Sequence, residues 1–578
     1  MLSGQARNWL DGTVAELVAQ YFVWRGVQRV YGLCGGHIQP IWDAMARRGI
    51  AIVDVRHECA AVYMAHAEAE LTGRPGIALV TAGPGLTNAV TGLANASVSR
   101  APVVLLCGRP PRPQTGRGAL QELPQDLVVA PLCRATLTVD NPRRVLAELD
   151  RVMMAAAGYD APPGPAYLDF PTDVLDEMVR PSDVRNWSMT PISPPQVMPS
   201  ALDVARARQL VATARRPLVI GGRGVREVSG PLTTLLQGSG IPYVDSGESR
   251  GAVAVDHPNV VSAVRGVAIR EADLVITLDR NLNFQFAYGS PAVFHPDAKF
   301  LRIASYASQL SDNRRGTVEL RCSVAAFVDS MGDHLTVPDL DTEWVESLRV
   351  ANAGAVKRLA ELSETASLGS DGFMHPYQLM AAINSFVDQG TVIVADGGDT
   401  LSFARVALNP PPRLDSGALG CLGVGLPFAN AAAMSLPGRQ VLAVIGDGSF
   451  GFSAMEIDTA VRHRLNVVYV VANNQAWNIE KTDQLQRYDG RTVGVDLPGC
   501  RYDLLAQALG ASGRRVTSPE DLPAALAWAQ QNTPAVLDVL VTQDVPSPDS
   551  RAGLATVPPL QAITKWQKSE EQAGRLAP

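Results

Sequence analysis

The chain contains no run of about eighteen apolar residues, the minimum for a helix that crosses a bilayer, so the sequence predicts no membrane partner. Its first twenty residues, MLSGQARNWLDGTVAELVAQ, lack the basic, apolar, small-residue order of a secretory leader and read as an amphipathic helix. The seven cysteines contain no CxxC pair and are odd in number, which excludes a disulfide framework and predicts reduced thiols in a cytoplasmic protein. Eight histidines form no HxxxH cluster, so a zinc site has little to stand on. A formal charge of −7 leaves no basic surplus for a nucleic-acid groove, and no nucleic-acid partner is predicted. A local basic patch for an anionic substrate stays compatible with that total.

What the chain has is 46% apolar residues, rich in Ala, Val, Leu and Gly, over a length of 578 that exceeds a single core. The length alone suggests about three to four domains. Strand-like runs alternate with helical spacing in three blocks. RVYGL, AIVDV, GIALVTA and APVVLLC mark residues 1–180. PLVIGGRG, IPYVD, ADLVITLD and KFLRIA mark 195–345, and TVIVADGG, QVLAVIGDG, NVVYVVANN and AVLDVLV mark 367–545. Such alternation implies α/β domains with doubly wound parallel sheets. A Pro- and Ser-rich stretch, 171–200, reads as a linker, and a charged helical stretch near 342–366 joins the second block to the third. The tail, 546–578, is rich in Pro and small residues before a short helical run, QAITKWQKSEEQ. GGRG at 221–224 follows a strand as a dinucleotide loop would, but a lone Gly-rich turn there is ordinarily only a tight turn.

The stretch GDGSFGFSAMEIDTAVRHRLNVVYVVANNQAWNIE, 446–480, carries the most chemistry. VLAVI before it and NVVYVVA within it are β-branched strands, and the segment between them has helical spacing, with the helix expected to start near Phe452. Both polar clusters then fall at the carboxyl ends of parallel strands, where open α/β sheets bind ligands. A diphosphate ester held by Mg²⁺ accounts for the residue types. Asp447 supplies a carboxylate, Asn474 an amide oxygen and Ala476 a backbone carbonyl, and the metal's octahedral oxygen shell is completed by phosphate. Gly446 and Gly448 let the backbone approach the phosphates, and the following helix points its positive end at them.

In this context the pattern resembles the diphosphate signature of thiamine diphosphate enzymes, and the resemblance extends over most of the chain. It is similar to the branch holding acetolactate synthase, oxalyl-CoA decarboxylase and 2-hydroxyacyl-CoA lyase. The resemblance implies a pyrimidine-binding domain, a central domain and a diphosphate-binding domain, in that order, with a C-terminal tail. RHECAAVYMAHA, 56–67, resembles the segment carrying the acid that activates the cofactor through its pyrimidine ring, which makes Glu58 that residue. RLDSGALGCLGVGLP, 413–427, resembles the wedge segment, with Leu422 under the bent cofactor and the Gly420 carbonyl on its amino group. ADGGDT, 395–400, resembles a second diphosphate loop with Gly398, Asp399 and Thr400. TAGPGLTNAV, 81–90, places Asn88 near the site, and Gly35, Gly448, Ser449 and Ile479 complete the implied cofactor contacts. Because the cofactor in this family lies between two chains, the resemblance implies at least a homodimer and points to a homotetramer. It also leaves room for ADP in the central domain.

For the reaction, GALQELPQDLV, 118–128, resembles the loop of the acyl-CoA branch, with Gln121 facing the reacting centre and Leu120 shaping the acyl pocket. Arg405, in RVALNPPPRLDSG, and Arg265, in NVVSAVRGVAI, stand where that branch meets the CoA phosphates; either arginine taken singly is more often an ordinary surface ion-pair residue. After the Asn pair, Ile479 and Glu480 depart from the Gly-Ile-Tyr run of oxalyl-CoA decarboxylases. They resemble pyruvate-type decarboxylases and an actinobacterial-type group of 2-hydroxyacyl-CoA lyases. The His-His pair of pyruvate decarboxylases is missing before Gln121. The expectation is a 2-hydroxyacyl-CoA lyase that releases formyl-CoA and an aldehyde or ketone, with Glu480 as proton shuttle and the tail as a lid over CoA. The rival readings are a 2-ketoacid decarboxylase or acetolactate synthase-like carboligase, and oxalyl-CoA decarboxylase.

Overall fold

The computed structural model describes residues 12–184, 194, 196–332 and 335–552, with 568, 571 and 572 in the tail. Three parallel sheets follow one another along the chain. The first contains β2 (Arg29–Gly32), β3 (Ala51–Asp54), β4 (Gly76–Val80), β5 (Val103–Arg109), β6 (Thr136–Thr138) and β7 (Ala166–Pro171), in the order β3-β2-β4-β5-β7-β6. The second contains β9 (Pro217–Gly221), β10 (Tyr243–Val244), β11 (Leu274–Leu278), β12 (Lys299–Ala304) and β13 (Val318–Arg321), in the order β10-β9-β11-β12-β13. The third, with order β14-β15-β16-β18-β17, contains β14 (Val392–Asp396), β15 (Val441–Gly446), β16 (Val467–Asn473), β17 (Ser512–Val516) and β18 (Ala535–Leu540). Val, Ile, Leu and Ala dominate β4, β14 and β16 and every residue of them is buried, as strands covered by helices on both faces require.

Part of the stretch read as a linker carries regular structure within the first block, 1–180. The stretch read as a linker from 171 instead forms the helix Thr172–Leu175 and a short strand, β8 (Met178–Val179), which pairs antiparallel with β1 (Gly12–Thr13). Two-residue strands carry no periodicity, which is why the sequence hid them. The helix Val14–Arg25 occupies part of the expected N-terminal helix, and residues 1–11 lie outside the described residues. The long helix Thr342–Thr365 links the second and third sheets, as its charged pattern suggested.

At the end of β9 the Gly-rich turn is closed by the protein itself. The Gly224 N–H donates to the Asp279 carboxylate at 3.0 Å, and a Cβ at Gly222 would run into the Asp279 carbonyl. A phosphate entering this turn would meet a carboxylate in place of open amides. The first and third domains pack directly on each other through the helices Glu58–Thr72 and Gly425–Ser435. There Phe428 makes edge contacts with Tyr63 at 6.0 Å and His66 at 5.1 Å. All seven cysteines are free thiols, and no helix among the described residues is long and apolar enough to cross a membrane.

Candidate active site

On the third domain, three neighbouring parallel strands end side by side. β14 runs into Gly397-Gly398-Asp399, β15 into Asp447-Gly448-Ser449, and β16 into the Asn pair, with Gly446 in register with Ala472. The helix after β15 begins at Asp447, not near Phe452, and spans Asp447–Ser453 before a second helix, Glu456–Arg462. The early start follows from Gly446, whose extended backbone turns straight into the helix. Asp447 thus sits in the first turn, and the helix Asp399–Ala407 starts beside it. Two helix N-termini therefore face one spot, which favours an anion there.

Asp447 is buried, and its Oδ2 has no hydrogen-bond partner. Burial pushes its carboxyl up to about 7, against the pull of the Gly448 and Gln475 amides. A buried, unpartnered carboxylate oxygen is costly unless something cationic meets it, so the residue fits a divalent ion. Among the described residues no three His, Cys, Asp or Glu side chains converge, so a metal here would take its other protein donors from neutral oxygens, and the Gln475 amide brings the turn 474–476 to Asp447. The two asparagines divide the work. Asn473 is fully buried and donates to Asp538 at 2.8 Å, while Asn474 stays half-buried and turns its Oδ1 to the Ala476 N–H at 3.1 Å.

The Gly-rich turns leave room for the backbone and little else. A Cβ on Gly448 would strike the Trp477 ring, and one on Gly398 would reach within 3.0 Å of Ile479. Ile479 therefore packs on the diphosphate-type loop from the helix Asn478–Arg487, and Asn478 ties that helix to Asp399 at 2.7 Å. Asp399 itself is buried, with one oxygen unpartnered, and burial raises its carboxyl. Thr400 lies under Gly446, and Ser449 contacts Gly397. Asp396 is a residue that sequence reasoning missed. Its buried carboxylate accepts from the amides of Gly397, Gly423 and Gly425 at 2.7, 2.9 and 2.9 Å, and burial lifts it to about 6. It moors the wedge segment to the end of β14. Beyond that mooring, Gly420 is exposed with φ 73° and Leu422 is half-buried. Glu480, in the first turn of its helix, is exposed.

On the first domain, the loops after β2, β4 and β5 form a second cluster. Glu58 is the first residue of the helix Glu58–Thr72, whose N-cap is His57, and it is 6% exposed. Its Oε2 accepts from Asn88 at 2.9 Å, and Gly85 lies against its other oxygen. Gly35 sits on Thr81 with no space for a side chain. Gln121 takes a positive φ of 62° and presses on Gly83, while the Glu122 carboxylate gathers the Gly118 and Ala119 amides at 3.1 and 3.0 Å to close the loop. That loop presents Leu120 to solvent at 78% exposure. His37, also missed from sequence, is buried and hydrogen-bonded to Gln121, with its Nδ1 unpartnered. Burial holds its pKa below the ordinary histidine value. The sequence signal was GGHI, a lone histidine in a Gly turn after a strand.

Comparison with known proteins assigns these three sheets. The thiamine pyrophosphate enzyme N-terminal TPP-binding domain matches residues 12–128, the central domain of the same enzymes matches 204–331, and the C-terminal TPP-binding domain matches 396–539. An acetolactate synthase large subunit of Mycobacterium tuberculosis is 33% identical over 93% of this chain and 97% of its own. The chain belongs to the thiamine pyrophosphate enzyme family. Two other relatives are named 2-hydroxyacyl-CoA lyase. Lyase 2 of Caenorhabditis elegans is 33% identical over 87% of this chain and 84% of its own, and lyase 1 of Mus musculus is 30% identical over 93% and 95%. This thiamine pyrophosphate enzyme therefore works through thiamine diphosphate, and its class is lyase or carboligase.

Its two expected substrate arginines are placed differently. Arg405, on the helix Asp399–Ala407, is already paired with Asp415 at 2.9 Å. Arg265, on the helix Arg265–Glu271, lies 5.9 Å from the centre of the Phe286 ring, and burial with the neighbouring charges of Arg250 and Arg280 lowers its pKa. Asp549, from the start of the tail, faces both arginines, and its N–H donates to Ser402 at 2.9 Å. Residues 553–567 of the expected lid lie outside the described residues.

Proposed function

We propose that this enzyme is a 2-hydroxyacyl-CoA lyase, nearest in type to the actinobacterial group. It would cleave the C1–C2 bond of a short or branched 2-hydroxyacyl-CoA to formyl-CoA and an aldehyde or ketone, with the reverse condensation as the same chemistry. The observation that carries the reading is the arginine group on the central domain. Arg250 Nη1 and Arg280 Nε are buried without hydrogen-bond partners, and Arg265 stands beside them. Arg280 also pairs with Glu248 and Arg250 faces Asp245, but three arginines together suit the several phosphates of a carrier such as CoA better than the single carboxylate of a free 2-ketoacid. Bound thiamine diphosphate supplies the carbon nucleophile that takes up the acyl carbonyl.

The chain's own residues hold and move protons. Asp447, Asn474 and the Ala476 carbonyl would hold Mg²⁺, with Gly398, Asp399, Thr400, Gly448 and Ser449 around the diphosphate and Gly420 and Leu422 shaping the wedge. Glu58, oriented by Asn88, would exchange a proton with the pyrimidine ring, and Gly35 would lie beside that ring. As the C1–C2 bond breaks, the 2-hydroxyl proton must leave and one proton must reach C1. Glu480 and the Gln121–His37 pair are the groups for these transfers, with Leu120 and Ile479 lining the acyl side. Exposure of Leu120, Leu419 and Phe452 on the two loop clusters supports a second subunit covering them, in a homodimer or homotetramer. The reading places the enzyme in the cytoplasm. An ADP in the central domain would have to displace Asp279 from Gly224, and nucleotide released on denaturation would reveal it.

The test is a product assay with 2-hydroxyisobutyryl-CoA and, separately, pyruvate. Formyl-CoA with acetone is expected from the first. Carbon dioxide or acetolactate from pyruvate without formyl-CoA would refute the reading in favour of the acetolactate synthase-like alternative, which the Mycobacterium tuberculosis relative supports. Formyl-CoA together with carbon dioxide from oxalyl-CoA would favour a decarboxylase.

A further inference from the structure

Four residues beyond Gln121, on the helix Gln125–Val129, stands a side chain that looks like an ordinary surface amide in the sequence. Gln125 is completely buried. Its Oε1 accepts the Gly83 N–H at 2.8 Å. With that orientation fixed, its Nε2 donates to the Gly108 carbonyl at 3.0 Å and to Tyr167 Oη at 2.9 Å, with Asp169 Oδ2 at 3.4 Å. A buried primary amide is tolerated only when its bonds are made, and here they are made across loops.

The two backbone points it joins, Gly83 in the turn after β4 and Gly108 near the end of β5, leave no slack around the site. A Cβ on Gly83 would come within 2.7 Å of Gln121, and a Cβ on Gly108 would overlap His37. Gly83 also leads directly into the helix Pro84–Ser99, which carries the Asn88 that orients Glu58. One amide thus spans the ends of β4 and β5 and fixes the two backbone points against which Gln121 and His37 rest.

We infer that Gln125 is a positioning residue that sets the Gln121–His37 pair, an assignment that rests on the reading of Gln121 as facing the reacting centre. Loss of its amide releases the Gly83 N–H and the Gly108 carbonyl together. The turn at Gly83 then relaxes against the end of β5, and Gln121, held at positive φ against Gly83, moves with it. A displacement on the order of 1 Å at a reacting group costs about a hundredfold in rate, so a partial relaxation predicts about a tenfold loss.

The experiment is a double-mutant cycle on the holoenzyme with Gln125→Met and Gln121→Ala, following formyl-CoA release and, separately, thiamine diphosphate affinity by isothermal titration calorimetry. Gln125→Met is expected to lower kcat about tenfold while KM and cofactor Kd change less than about threefold, and to cost less than about twofold more once Gln121 is Ala, since residues acting through each other are not additive. An equal loss in both backgrounds, or a rate loss accompanied by the same loss in cofactor affinity, would overturn the inference alone and leave the lyase reading standing. A Gln121→Ala enzyme at full rate would remove Gln121 from the reacting centre and take the inference with it. Should Gln125→Met fail to fold, Gln125→Glu, which keeps the acceptor for Gly83 and loses the donor for Gly108, is read in the same cycle with the same outcomes.

Discussion

Replacing Asp447 by Asn is expected to stabilise the cofactor-free protein while abolishing its response to Mg²⁺ and thiamine diphosphate. The carboxyl is pushed by burial from 3.8 up to about 7, so between those values the native side chain keeps a proton that the unfolded chain has released. Stability from this group is therefore full below the unfolded value and is lost as pH rises through the native one. At about 1.4 kcal/mol per pH unit, the window sets a ceiling of roughly 4 kcal/mol lost by neutral pH. Allowing for water entry and relaxation around the charge, about 2 kcal/mol is a fair working value. For a domain of this size that corresponds to a Tm rise of about 4–8 °C in the Asn variant. The assay is thermal unfolding of both proteins at about pH 5 and about pH 8, with and without Mg²⁺ and cofactor. At the lower pH the unfolded carboxyl is already ionised but only about a third of the window has been crossed, so the two curves should lie closer together than at the higher pH. At the higher pH the cofactor-free variant should melt above wild type, and only wild type should gain from the ligands. An Asn variant that melts no higher than wild type at the higher pH would refute the claim that Asp447 is a buried charge awaiting a cation.

The other expectations are simpler to state. Glu58→Gln keeps the Asn88 hydrogen-bond geometry yet removes the carboxylate, so turnover should fall about 10²–10⁴-fold in steady-state assays while cofactor titration is preserved. Glu480→Ala should likewise cut cleavage about 10²–10⁴-fold with cofactor binding intact, and undiminished formyl-CoA release would take Glu480 out of the chemistry. Phe428→Ala opens a cavity between Tyr63 and His66 where the first and third domains meet, at a cost of about 3–5 kcal/mol, visible as a lower midpoint in denaturant.

The motifs that sequence reasoning found are those in which the backbone itself is the signal. β15 and β16 were legible because their runs of Val, Ile, Leu and Ala suit strands buried on both faces, and the glycines after β15 announce close approach. Asp447 and Asn474 followed from standing at adjacent strand ends. β1, β6 and β8 were not legible, since strands of two or three residues show no period. The helix start at Asp447 was missed for a related reason: DGSFGFS has poor intrinsic helix propensity, and the end of β15 imposes the turn. Asp396, His37 and Gln125 belong to a third kind. Each is polar, and its type predicts exposure, yet each is buried because loops from distant parts of the chain close over it. In all three the partners are groups beside the site: the amides at 397, 423 and 425, Gln121 together with Gly108 near the end of β5, and the amide at 83 with the carbonyl at 108. Burying a polar side chain to tie loops that present a site costs free energy that a site-free turn would not require. The buried polar residues at these strand ends, more than the glycines around them, are therefore where the geometry of the reaction is held.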